Sequence, residues 1–76
     1  MDMSKVIFRD ETGHVYNISK NGSFGWIRND RDNDDIFFHM NDVIDAPGER
    51  FNKGDWLKYD ITFSPKGAKA INIRCL

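Results

Sequence analysis

Between Trp56 and Phe63 the chain alternates residue by residue, with Leu57, Tyr59, Ile61 and Phe63 on one side and Trp56, Lys58, Asp60 and Thr62 on the other. A period of two marks a strand with one face turned to a core. The other apolar runs are equally short, and none repeats at helical spacing. Val6-Ile7-Phe8 is followed by the turn-prone Asp10-Glu11-Thr12-Gly13, Val15 to Ile18 by Ser19-Lys20-Asn21-Gly22, and Phe24-Gly25-Trp26-Ile27 by a polar stretch from Asn29 to Asp35. Ile36-Phe37-Phe38-His39 comes next. Residues 41–55, with Pro47, Gly48 and Gly54, read mainly as loop, and Asn41 to Asp45 has room for one helical turn. Ser64-Pro65-Lys66-Gly67 is a turn, and Ala68 to Ile73 is the last strand. Short strands, polar turns and no long helix predict an all-β chain. A small five-stranded antiparallel barrel is the expected form, because closure removes the exposed sheet edges.

Seventy-six residues allow one domain. Six Phe, two Trp and two Tyr are more rings than so small a core needs, so some are expected on the surface for a reason. Lys plus Arg is 11 against 12 Asp plus Glu, a net charge of −1, which argues against a protein that works by bulk positive charge. The single cysteine, Cys75, excludes an internal disulfide and a cysteine-based zinc site. The first residues carry acids and lack the apolar core of a signal peptide, and no apolar run approaches the ~20 residues of a membrane helix. A reducing, cytoplasmic setting without membrane attachment is the expectation.

The most informative stretch is Ser23-Phe24-Gly25-Trp26-Ile27. In a strand, Phe24 and Trp26 share one face, and Gly25 and Ile27 share the other. Glycine between the rings lets the strand bend sharply into a barrel. If both rings were core, Ile27 would be left outside, so the rings are better read as a surface platform on which successive bases stack. In Asp35-Ile36-Phe37-Phe38-His39-Met40, Ile36 and Phe38 alternate with Phe37 and His39. Histidine is the worse choice for a dry interior. Ile36 and Phe38 are therefore predicted to face inward, leaving Phe37 and His39 beside Phe24 and Trp26.

These segments resemble the cold-shock domain, the small five-stranded OB-type barrel of bacterial cold-shock and Y-box proteins. That family carries lysine-glycine-phenylalanine-glycine-phenylalanine on its second strand and valine-phenylalanine-valine-histidine-phenylalanine on its third. Here Gly22-Ser23-Phe24-Gly25-Trp26-Ile27 and Ile36-Phe37-Phe38-His39-Met40 stand in those places. Gly13 and Val15 match the start of the first strand, Gly54 the glycine before the fourth, and Lys66-Gly67-Ala68-Lys69-Ala70-Ile71-Asn72-Ile73 the closing segment. The resemblance runs from Gly13 to Ile73 and implies binding of single-stranded DNA or RNA on an aromatic face with little sequence preference, and RNA-chaperone or regulatory roles in transcription or translation. Carried over by position, it makes Phe24, Trp26, Phe37 and His39 the stacking platform, puts Met40 where the family places an aromatic, and puts Lys66 at the basic position of the last loop.

The chain also departs from the pattern. Asn17 replaces the first-strand tryptophan, Ile18 the phenylalanine after it, and Gly22 the lysine of the second-strand motif. Tyr16 and Lys20 are candidates to restore one ring and one charge. Residues 1–12 precede the domain of residues 13–76 as an extension available for an extra edge strand or a dimer contact. Three or four stacked bases at ~1–3 kcal/mol each, less the cost of association, give an affinity on the order of micromolar.

Other constellations are weaker. Asp30, Asp32 and Asp34 alternate like the start of a calcium loop, but Asp35 occupies the place of its glycine and Asn41 that of its terminal glutamate. His14, His39 and Cys75 share no metal-type or catalytic spacing, so no metal, cofactor or enzymatic activity is expected. Trp56 lies on the polar side of its strand, either partly exposed or packed under residues 41–55. The competing function is a protein-interaction module. In that case the same barrel, weakened toward nucleic acid at Asn17 and Gly22, grips a protein partner or forms a homodimer.

Overall fold

The structure, a computed structural model, describes residues 6–45 and 51–76. Its strands are β1 (Val6–Ile18), β2 (Phe24–Asn29), β3 (Asp35–His39), β4 (Val43–Asp45), β5 (Trp56–Ser64) and β6 (Gly67–Cys75), with a 3₁₀ turn at Met40–Asp42. They form one sheet in the order β3-β2-β1-β5-β6-β4, and a parallel contact between Phe37 and Lys69 joins β3 to β6. Five strands thus close a barrel, and β4 is appended to β6. Both the β3–β6 and β4–β6 pairings are parallel, so the sheet is mixed rather than wholly antiparallel.

The turn expected at Asp10-Glu11-Thr12-Gly13 does not form. These residues lie inside β1, which pairs with β5 through its first half and with β2 through its second. Asp10 takes a positive φ of 56°, and the β1–β5 register shifts between Phe8 and Glu11. Aspartate tolerates that backbone conformation, so the strand bulges and bends instead of reversing. Residues 6–12 therefore continue β1, and residues 1–5 of the extension lie outside the described residues.

The segment read as loop after Asn41 holds more structure than its composition suggests. Met40–Asp42 makes the short 3₁₀ turn, and Val43–Asp45 extends along β6. Pro47 and Gly48 lie outside the described residues. Phe51 is 2% exposed and packs on Phe38 with ring centroids 6.1 Å apart, so this irregular segment closes one end of the core. The rest of the core is Val15, Ile27, Ile36, Phe38, Leu57, Tyr59, Ile61, Ala70 and Ile73. Each large apolar side chain among them contributes about 1.5–3 kcal/mol by leaving water.

β5 follows its predicted alternation only in part. Leu57, Tyr59 and Ile61 are core, but Asp60 and Thr62 are buried as well, and Phe63 is 61% exposed. The β5–β6 register shifts between Lys58 and Asp60, opposite the bulged half of β1, and the outer face there is covered by its neighbours. Asp60 accepts from the Asp10 N–H at 3.0 Å and from Asn72 Nδ2 at 2.9 Å. A buried carboxylate persists there because its oxygens are hydrogen-bonded.

Candidate nucleic-acid interface

β2 alternates as expected. Gly25, Ile27 and Asn29 are buried, while Phe24 and Trp26 are each 40% exposed. A Cβ on Gly25 would collide with the Asn17 carbonyl and lie 2.9 Å from the Phe38 ring. The glycine lets β1 and β2 approach while its neighbours hold both rings outward. On β3, Ile36 and Phe38 face the core, and Phe37 and His39 lie on the other side. The register sets Phe24 opposite His39 and Trp26 opposite Phe37. Ring centroids are 6.0 Å apart for Phe24–Phe37 and 5.2 Å for Trp26–Phe37. Mutual tilts of 34° and 68° leave the rings supporting one another at angles instead of stacking flat and hiding their faces. His39 Nδ1 accepts from the Asn41 N–H at 3.0 Å, which orients the imidazole.

Four supporting residues were anticipated. Tyr16 is 43% exposed at the β1–β2 register shift, with the Arg28 guanidinium 3.8 Å from its ring centroid. One face of the phenol thus carries a cation. Lys20 stands exposed in the turn leading into Phe24. Lys66 joins Trp26, Phe37, Ser64, Asp35 and Lys69 around a groove of about 540 Å³. Met40 is partly buried against the core, and its N–H donates to the Ser23 carbonyl at 2.8 Å, tying the end of β3 to the start of β2.

The departures at Asn17 and Gly22 have local causes. Asn17 pairs with Trp26, and its Oδ1 accepts from the Ile18 N–H at 2.9 Å, so the side chain folds back on its own strand. Gly22 is buried with φ of 74°, a backbone conformation that a lysine would adopt only under strain.

Two further cations, Arg28 and Lys69, border the aromatic face. Arg28 shares the face of Phe24 and Trp26 by simple alternation and bonds Asp35 at 3.2 Å, which raises its pKa and keeps it protonated. Its parity with the two rings was a usable signal. Lys69 reaches the groove because barrel closure sets it beside Phe37, and it pairs with Asp42 at 3.2 Å. No local pattern foretells that placement. Trp56, left open between two environments, is 51% exposed and leans on His14 with ring centroids 5.2 Å apart.

The acidic hairpin after β2 is occupied with itself. Thr12 Oγ1 donates to Asp30, and Asp32 accepts from the Asp34 N–H and from Asn29, contacts that lower the Asp32 pKa. Among the described residues no group of three or more His, Cys, Asp or Glu side chains is arranged to hold a metal. Burial, with Asp55 and Asp45 nearby, pushes the Cys75 thiol up and away from its reactive form.

A closed five-stranded barrel with solvent-facing rings on two adjacent strands is the architecture of an OB-type nucleic-acid-binding domain. The family model of the 'Cold-shock' DNA-binding domain matches residues 11–76. A cold shock-like protein of Aquifex aeolicus (strain VF5) is 31% identical over 64 residues, covering 84% of this chain and 91% of that protein. The solved structure of Drosophila Unr CSD456 superposes with a TM-score of 0.74 at 23% identity over 92% of this chain, which spans 28% of that longer one. The chain belongs to the cold-shock domain family, a family of nucleic-acid-binding domains.

Proposed function

We propose that this protein binds single-stranded RNA or DNA by stacking successive bases on Phe24, Trp26, Phe37 and His39, with little sequence preference. The observation that carries this reading is the pairing of two outward aromatic residues on β2, each 40% exposed, with Phe37 and His39 on β3. Rings accept any base because every base has a π-face. Lys66 and Lys69 border the groove beside Trp26 and Phe37, where backbone phosphates would run, and Arg28 bounds the platform at the β1 side. A domain that binds weakly and without sequence preference suits an RNA chaperone or a regulator of transcription or translation.

The test is a tryptophan-fluorescence titration with a short oligopyrimidine, repeated on Phe37→Ala. Saturable quenching at about micromolar concentration is expected, with the variant weaker by ~1–3 kcal/mol and its circular dichroism unchanged. Equal affinity in the folded variant would remove this face from the binding reaction. Absence of any binding, together with self-association or capture of a specific partner, would favour the protein-interaction alternative.

A further inference from the structure

The exposed ring surface continues past β2. Outward-facing residues form a third row across the sheet, in which Asp35 pairs with Arg28, Arg28 with His14, and His14 with Trp56. His14 lies between buried Gly13 and buried Val15, so it stands on the non-core side with Trp56. Its Nδ1 is shielded from solvent without a hydrogen-bond partner among the described residues, so packing holds the ring where it props the indole. Tyr16, carrying the Arg28 guanidinium, bridges the space between Trp26 and this row. From the strand spacing and the rise per residue, Trp56 lies roughly 12 Å from Trp26, two strands across and two residues along. That is within reach of roughly one or two further nucleotides of an extended strand.

We propose that Trp56, backed by His14, is an additional base-stacking subsite for a single strand that leaves the platform over Arg28 and crosses β1. The inference rests on the stacking function proposed above and extends its footprint to β5. Three features support nucleic acid as the occupant. Trp56 is 51% exposed, although burial of an indole is strongly favourable. The surface is continuous with the platform through Tyr16. Cations flank it: Arg28 on the approach, and Lys58, two residues along the same side of β5, without an ion-pair partner among the described residues. The neighbouring acids are already engaged, Asp35 with Arg28 and Asp55 with the Asn52 N–H at 2.9 Å.

The experiment compares oligothymidines of four and eight nucleotides. In the wild-type protein the longer strand binds roughly tenfold more tightly or better, beyond the gain expected from a larger number of equivalent registers. In Trp56→Ala that ratio collapses, and in Trp56→Phe it is largely restored. Trp26→Phe leaves Trp56 as the only indole, and the longer strand quenches it. An unchanged ratio in Trp56→Ala, or Trp56 emission indifferent to the longer strand, overturns the subsite. If binding stays sensitive to Phe37→Ala in that case, only the extension has failed. If the wild-type protein binds neither strand, the stacking function fails and the subsite with it.

Discussion

Tyr59 is fully buried, and its hydroxyl donates to Asn29 Oδ1 at 2.5 Å, while Asn29 Nδ2 donates to Glu11 and Asp32. Burial, reinforced by Glu11, Asp30 and Asp32, raises the Tyr59 pKa far above the ordinary phenol range, so the group remains a donor at any working pH. Tyr59→Phe would leave a buried amide oxygen unpaired, and the expected loss is about 1–3 kcal/mol in denaturant unfolding. Gly25 answers to a different constraint. Gly25→Ala forces its methyl against the Asn17 carbonyl and the Phe38 ring. Overpacking of this kind costs about 1–3 kcal/mol, and it should lower the melting temperature and weaken oligonucleotide binding together, because the strand that moves carries Phe24 and Trp26.

At the scale of elements, the bulge in β1 is held by Asp60 on β5 and Asn72 on β6. Burial opposes ionisation of Asp60, but the hydrogen bonds from Asn72 and from the Asp10 N–H, with Arg74 and Arg9 nearby, outweigh it and hold the carboxyl below its usual range. A depressed folded-state pKa stabilises the fold above the unfolded value near 3.9 and loses that contribution as pH falls through the folded value. Thermal unfolding followed from neutral pH into the acid range should therefore show a loss of stability below about pH 4. Asp60→Asn should be less stable at neutral pH and should lack this part of the acid response. An identical acid profile in the variant would remove Asp60 from the linkage. The segment before β5 makes a different contribution, because Phe51 caps the core from irregular backbone. Phe51→Ala is expected to cost about 3–5 kcal/mol, measured by urea unfolding.

For the whole molecule, a net charge of −1 means that little attraction acts at a distance, and nucleic acid must be held by local contacts. If two or three of Arg28, Lys58, Lys66 and Lys69 meet phosphates, the slope of log K against log salt should be about −1.4 to −2.1 for a single strand. A steeper slope would require cations beyond these, and a flat one would mean that stacking acts alone. Asp35, at the end of the acidic hairpin, lines the groove with Lys66 and Lys69 and pairs with Arg28, so its charge is partly offset beside the platform.

Period-two patterning determined the β class and the faces of β2 and β3. The polarity of Phe37 and His39 against Ile36 and Phe38 is a local property, and a strand between a core and water must obey it. Gly25 falls on the core side by the same parity, and Arg28 was open to the same argument, whereas the close approach of β1 that Gly25 permits depends on the pairing of the two strands. What alternation could not decide were the features that depend on residues distant along the chain. The bulge at Asp10 replaces a turn because Asp60 supplies a hydrogen-bond acceptor from β5, and Phe51 is core because Phe38 waits beneath an otherwise irregular segment. Lys69 reaches Phe37 only through the parallel closure of β3 on β6, and Trp56 meets His14 only across the β1–β5 register. Local periodicity records which way a side chain points from its own strand. Its neighbours are chosen by strand order and register, and those exist only once the barrel has closed.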